Sequence, residues 1–251
     1  MGVQFVTPSA YSQALVTDVR RLYEADFPGL AENVPFDSTF ELFGGSSRIQ
    51  HPAFKLLERP DHSRYWFISE DKAELVQFQI DRLMHNWRSV DGGPQYPHYE
   101  SISKKFETEL RKLREYFISL EPKSELNILQ FEVSYVNVIE FDPGERIDPS
   151  VWFNLTESLN FDVEYYNLSF GKVLTADGGA PYARFRVDLK TVHTIKEKPA
   201  IMATLLVKGA PSSSTIEACM ESLHRGREMI VTNFDMMSTD YAKRVWGKID
   251  G

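Results

Sequence analysis

The chain has 251 residues, 42% of them hydrophobic and 25% charged, with a formal net charge of −8. That is long enough for a sizeable core and too apolar for an intrinsically disordered chain. The acidic balance opposes a nonspecific grip on nucleic acid, which needs many cationic phosphate contacts; the lone cysteine, Cys219, excludes an internal disulfide and points to a reducing, cytoplasmic setting.

The opening residues Met1-Gly2-Val3-Gln4-Phe5-Val6 lack the basic and apolar regions of a signal peptide, and Val3 to Val6 reads as a first strand. Leu15, Val19, Leu22 and Tyr23 share one helical face, ended by Pro28-Gly29. Residues 33–62 read as a long loop rich in Pro, Gly and Ser. Three strands follow: Tyr65 to Ser69, then Leu75 to Ile80, then a strand marked by Leu83, His85 and Trp87. After the turn Asp91-Gly92-Gly93-Pro94, an apolar stripe from Ile102 through Phe106, Leu110, Leu113 and Phe117 predicts a helix that stops before Pro122.

A second round begins with alternation from Leu129 to Tyr135. A short helix is predicted over Pro149 to Leu159, then strands over Val163 to Leu174, Tyr182 to Val192 and Ala200 to Val207. The pair Ser214 and Glu217 reads as a capping box opening the last long helix, whose apolar face includes Cys219, Met220 and Leu223. A final short helix is predicted from about Thr239 to Val245, with Gly247 placed to end it. No run of 18 apolar residues occurs, so no membrane span is expected.

The predicted fold is therefore α+β: two similar β-α-β-β-β-α halves, 1–122 and 123–251, forming one compact unit. The sheet is expected to be mainly antiparallel with helices on one face.

Val76-Gln77-Phe78-Gln79-Ile80-Asp81-Arg82, Asn86-Trp87-Arg88, Tyr96-Pro97-His98-Tyr99-Glu100, Val133-Ser134-Tyr135-Val136-Asn137 and the C-terminal Val231-Thr232-Asn233-Phe234 and Trp246-Gly247-Lys248 together carry a likeness. They resemble a sporadically distributed prokaryotic family of unknown function. The resemblance implies a mobile or defence-associated locus and supplies no catalytic residues.

Chemistry is sparse along the chain. The six histidines show no metal-ligand spacing, although His85 and His98 flank one turn. There is no nucleophile elbow and no phosphate loop, and Glu107, Glu109 and Glu115 read as a solvated helix face. Neither a metal nor a cofactor is expected. Two surfaces stand out. The first is Asn86, Arg88, Tyr96, Tyr99 and Glu100, with Arg88 paired to Glu100 in a purely structural reading. The second is the polar sheet side, Gln77, Gln79, Gln130, Glu132, Ser134, Asn167, Ser169, Arg184, Arg186 and Asp188, which reads as solvent-facing.

The favoured function is a noncatalytic protein-interaction or ligand-binding module with a protein partner. One alternative is an enzyme with a site near residues 86–100. The other is a saddle-like nucleic-acid binder using Arg184, Arg186 and Lys190, which the acidic balance disfavours.

Overall fold

The computed structural model describes residues 1–37, 39–41, 43, 63–142, 144–155 and 164–246. Among these are nine strands: β1 (Gly2–Val6), β2 (Gly29–Asn33), β3 (Arg64–Ile68), β4 (Glu74–Gln79), β5 (Arg82–Trp87), β6 (Asn127–Glu140), β7 (Asn167–Thr175), β8 (Pro181–His193) and β9 (Pro199–Gly209). They form one antiparallel sheet of order β2-β3-β4-β5-β1-β6-β9-β8-β7. Four α-helices accompany them: α1 (Val16–Arg21), α2 (Tyr99–Leu120), α3 (Ile216–Met237) and α4 (Asp240–Val245). The α+β class holds.

Several elements differ from expectation. α1 ends at Arg21, well before Pro28-Gly29, and Gly29 instead opens β2, which pairs with β3 from Gly29↔Ile68 to Asn33↔Arg64. Residues 149–151 form one 3-10 turn, capped by Asp148 accepting from the Ser150 N–H, where a longer helix was predicted. Residues 156–159 of that predicted helix, Val163 of the following strand and Gly247 lie outside the described residues. The α3 cap is Thr215 rather than Ser214: its hydroxyl accepts from the Ala218 N–H at 3.2 Å. The first half therefore carries four strands between its helices and the second carries three, while outward from the β1–β6 pair the order runs β5-β4-β3-β2 one way and β9-β8-β7 the other.

The chain groups into two units, residues 1–132 with 209–223, and residues 133–208 with 224–251. In the first, one sheet face presents Val3, Phe67, Val76, Phe78, Leu83 and Phe131, all buried. The α2 stripe predicted from the sequence, Ile102, Phe106, Leu110, Leu113 and Phe117, is buried too, with the Phe117 ring edge-on to Phe5 at 5.7 Å. Each such side chain contributes about 1.5–3 kcal/mol by leaving water. In the second unit the alternation of β8 and β9 buries Phe185, Val187, Leu189, Ile201, Leu205 and Val207. There α3 approaches the sheet through Gly226: a Cβ at that position would lie 2.7 Å from Val133 Cγ1 and 3.3 Å from Val207 Cβ.

Cys219 is fully buried, as its place in the apolar stripe predicts, and burial pushes its thiol pKa up to about 12. Thiol-reactive reagents should label the native protein far more slowly than the unfolded chain. Labelling at the rate of a free exposed thiol would show the placement to be wrong.

Candidate functional site

Cross-strand register builds the site. Asn33 faces Arg64, Gln79 faces Arg82, Arg82 faces Gln4, and Gln4 faces Gln130. Arg64 and Gln79 join the same side because Trp66 faces Gln77 and alternate residues share a face. The result is a polar row, Asn33, Arg64, Gln79, Arg82, Gln4 and Gln130, across the six strands β2-β3-β4-β5-β1-β6. It lies on the side of the sheet opposite Val76, Phe78 and Leu83. Beside it run Trp66, Gln77 and Met84.

Hydrogen bonds tie these side chains into a network. Arg64 Nη1 donates to Gln77 Oε1 at 3.0 Å, and Gln77 Nε2 donates to Asn86 Oδ1 at 2.8 Å. Asp81, in the β4–β5 turn, accepts from Gln4 Nε2 at 3.0 Å and from Gln79 Nε2 at 3.2 Å. The main chain of Phe36 lies against Gln79. Its N–H donates to Gln79 Oε1 at 2.8 Å and its carbonyl accepts from Gln79 Nε2 at 2.8 Å. The Arg64 guanidinium sits 3.7 Å from the centre of the Phe36 ring and that of Arg82 sits 5.5 Å away. Arg82 Nη2 also donates to the Asp37 carbonyl at 3.4 Å. Burial and the neighbouring Arg82 charge hold the Arg64 pKa below its ordinary value.

Ser134, Asn167, Ser169 and Arg186 are exposed, as the alternation predicts, but this face in the first unit is not the solvated surface expected. Gln77, Gln79 and Gln130 are buried, as are Gln4 and Arg82. Five buried atoms on it have no hydrogen-bond partner among the described residues: Asn33 Nδ2, Arg64 Nε, Trp66 Nε1, Gln4 Oε1 and Gln130 Oε1. Buried polar groups are almost always paired, and a missing partner costs about 1–3 kcal/mol. Several unpaired groups on one face give it unmet hydrogen-bonding capacity at buried positions.

The residues singled out from the sequence do not form one site. Asn86 belongs to the polar face through Gln77. Trp87 is half-exposed on the other side, with Tyr96 edge-on to it at 5.1 Å. Tyr96 is exposed, whereas Tyr99 is buried at the start of α2. Arg88 is exposed and donates from Nε to the Lys72 carbonyl at 2.8 Å rather than pairing with the exposed Glu100. Arg88→Ala should therefore cost no more than about 1 kcal/mol in a thermal melt; a loss of several would indicate a buried ion pair instead. In the second unit, Arg184 and Arg186 share one face of β8 with Asp188, opposite Val173 and Gly171 of β7.

A second polar cluster lies in the core of the first unit, and the sequence reading missed it. His85 does not pair with His98; its Nδ1 lies 2.9 and 3.0 Å from the two carboxylate oxygens of Glu109. Glu109 is 5% exposed and not on a solvated face. His85 Nε2 is 3.4 Å from Glu74 Oε2, close enough for charge attraction but outside hydrogen-bond geometry. Lys105 Nζ reaches the same Glu74 oxygen at 2.7 Å. Among the described residues no group of three or more His, Cys, Asp or Glu is placed to hold a metal ion, and no helix is long and apolar enough to cross a membrane.

The chain matches no protein-family model, no curated protein and no solved structure.

Proposed function

We propose that the protein is a noncatalytic binding module that acts with a protein partner, and that the polar sheet face of the first unit receives that partner. One observation carries the reading. Gln4 and Gln130 face each other at the β6 end of the row, each less than a tenth exposed, and each leaves its Oε1 unpaired among the described residues. The Gln4 amide is held in that orientation by Asp81, so its unpaired acceptor is fixed by the fold. Leucines of similar size would remove the desolvation cost, so retaining two amides there sacrifices stability for hydrogen-bonding capacity.

The lone cysteine supports a reducing, cytoplasmic setting. The resemblance to a patchily distributed prokaryotic family supports a partner encoded in the same mobile or defence-associated locus.

The test is a double variant, Gln4→Leu with Gln130→Leu. It should melt at or above the wild-type temperature, while a partner captured by wild-type protein in a native pull-down is lost. Undiminished recovery of the same partner by the variant would overturn the assignment.

A further inference from the structure

Resting on that reading, we propose that the ligand of this face is an extended peptide bearing an aromatic side chain, and that Phe36-Asp37 occupies one end of the site as an internal stand-in. Gln79 satisfies both the N–H and the carbonyl of Phe36, the pair of bonds that a neighbouring strand would make to a peptide residue. Recognition of this kind reads main chain and is blind to side-chain identity. Identity is read by the two guanidiniums over the ring, Arg64 at 3.7 Å and Arg82 at 5.5 Å. Pro35 helps hold the segment extended, because the residue before a proline, Val34, is kept out of the helical region.

The seat is shallow. Phe36 remains 41% exposed and Val34 is 80% exposed, so an incoming chain can displace them. Further along the row, Gln4 and Gln130 offer acceptors with no donor. Gln79 and Gln130 are three strand spacings apart, about 14 Å, which is about four residues of extended chain. A peptide crossing the strands from the Phe36 position therefore delivers its N–H groups to Gln4 and Gln130. The same amides could pair with nucleobases, but the contact already present is to a peptide group and an aromatic side chain, which favours the peptide.

The probe is the acetylated, amidated pentapeptide of residues 33–37, Asn-Val-Pro-Phe-Asp, titrated into full-length protein by calorimetry. Phe36→Gly leaves the main chain in place but removes the ring that competes for the two guanidiniums, and should bind this peptide at least about 10-fold more tightly than wild type. Adding Gln79→Ala, or replacing the peptide phenylalanine by alanine, should each weaken that binding by about 10-fold or more. In wild-type protein, saturating peptide should shift the Gln79 side-chain amide signals in an NMR spectrum, a reading that does not depend on the variants folding. Absence of both the binding and the shift, or tighter binding of single-stranded oligothymidylate at the same amides, would overturn the peptide assignment. If partner capture still depends on Gln4 and Gln130 in that case, the binding face stands and only the ligand class falls; if that dependence is also absent, both fall.

Discussion

Replacing His85 by alanine lowers the stability of the protein by about 3–5 kcal/mol, because it leaves the buried Glu109 carboxylate without its partner. The imidazole is wholly buried against Glu109 and Glu74. Burial opposes its charged form, as does the Met1 amino group, which donates to the His85 carbonyl at 2.8 Å. The two carboxylates outweigh both and raise its pKa above the ordinary 6.5. Reciprocally, His85 first and Lys105 next draw Glu74 down to about 2, against the effect of burial. These shifts fix the sign of the pH dependence. The His85 contribution is fully present below pH 6.5 and is lost as pH rises through its raised native pKa. The Glu74 contribution is fully present above pH 4.5 and fades as pH falls toward its native value of about 2. Urea midpoints of wild type and His85→Ala from about pH 5 to about pH 9 should therefore converge as pH rises. A gap that stays constant over that range would mean the imidazole is neutral in the folded protein. Replacing both His85 and Glu109 by leucine should recover much of the loss, since no buried charge is then stranded.

A leucine at Gly226 costs about 3 kcal/mol, the upper end of ordinary overpacking. Alanine is the more informative change, because two effects oppose each other. Ala is favoured over Gly in a helix interior by about 1 kcal/mol. Its Cβ, however, would lie 2.7 Å from Val133 Cγ1 and 3.3 Å from Val207 Cβ, where one or the other must yield. Both neighbours are buried β-branched strand residues with a stiff χ1, so neither yields cheaply. The net expectation is a loss of about 1–3 kcal/mol by chemical denaturation. Combining Gly226→Ala with Val133→Ala should cost less than the sum of the two single changes, because truncation of the valine opens room for the new methyl. Equal or greater stability of the single Gly226→Ala variant would refute the close approach of α3 to the sheet.

The sheet strands with strict alternation and the α2 stripe were legible because their periods, two and 3.6, match the faces they bury. β2 was not. Gly29-Leu30-Ala31-Glu32-Asn33 contains no β-branched or aromatic residue, and its pairing with β3 supplies what propensity lacks. Glu109 was misplaced with the solvated glutamates although its spacing carries the signal: it falls three residues after Phe106 and four before Leu113, inside the apolar stripe. The polar sheet face was legible as a set of alternating residues and not as a site. What changes its character is Phe36, 43 residues away from Gln79 in the chain, and no local pattern announces such a contact. The candidate cluster at residues 86–100 failed for the opposite reason. Its members are close in sequence, but alternation sends Asn86 to one side of the sheet and Trp87 to the other.

The position of β1 has a consequence for how the protein comes off the ribosome. Gly2 pairs with Met84 of β5 on one side and with Glu132 of β6 on the other. The strand is thus translated before both partners, and the second of them emerges last among the strands of the first unit's sheet, on the order of ten seconds later at ordinary elongation rates. The meander β2-β3-β4-β5 needs only antiparallel pairing between successive strands, so it is free to assemble while the chain is still growing. Until β1 docks, β5 presents a row of unpaired backbone groups to its surroundings, the kind of edge that recruits strands from other chains. A nascent chain stalled before residue 127 would have no β6 to complete the pairing around β1, which makes ribosome-associated holdases the natural guardians of this interval.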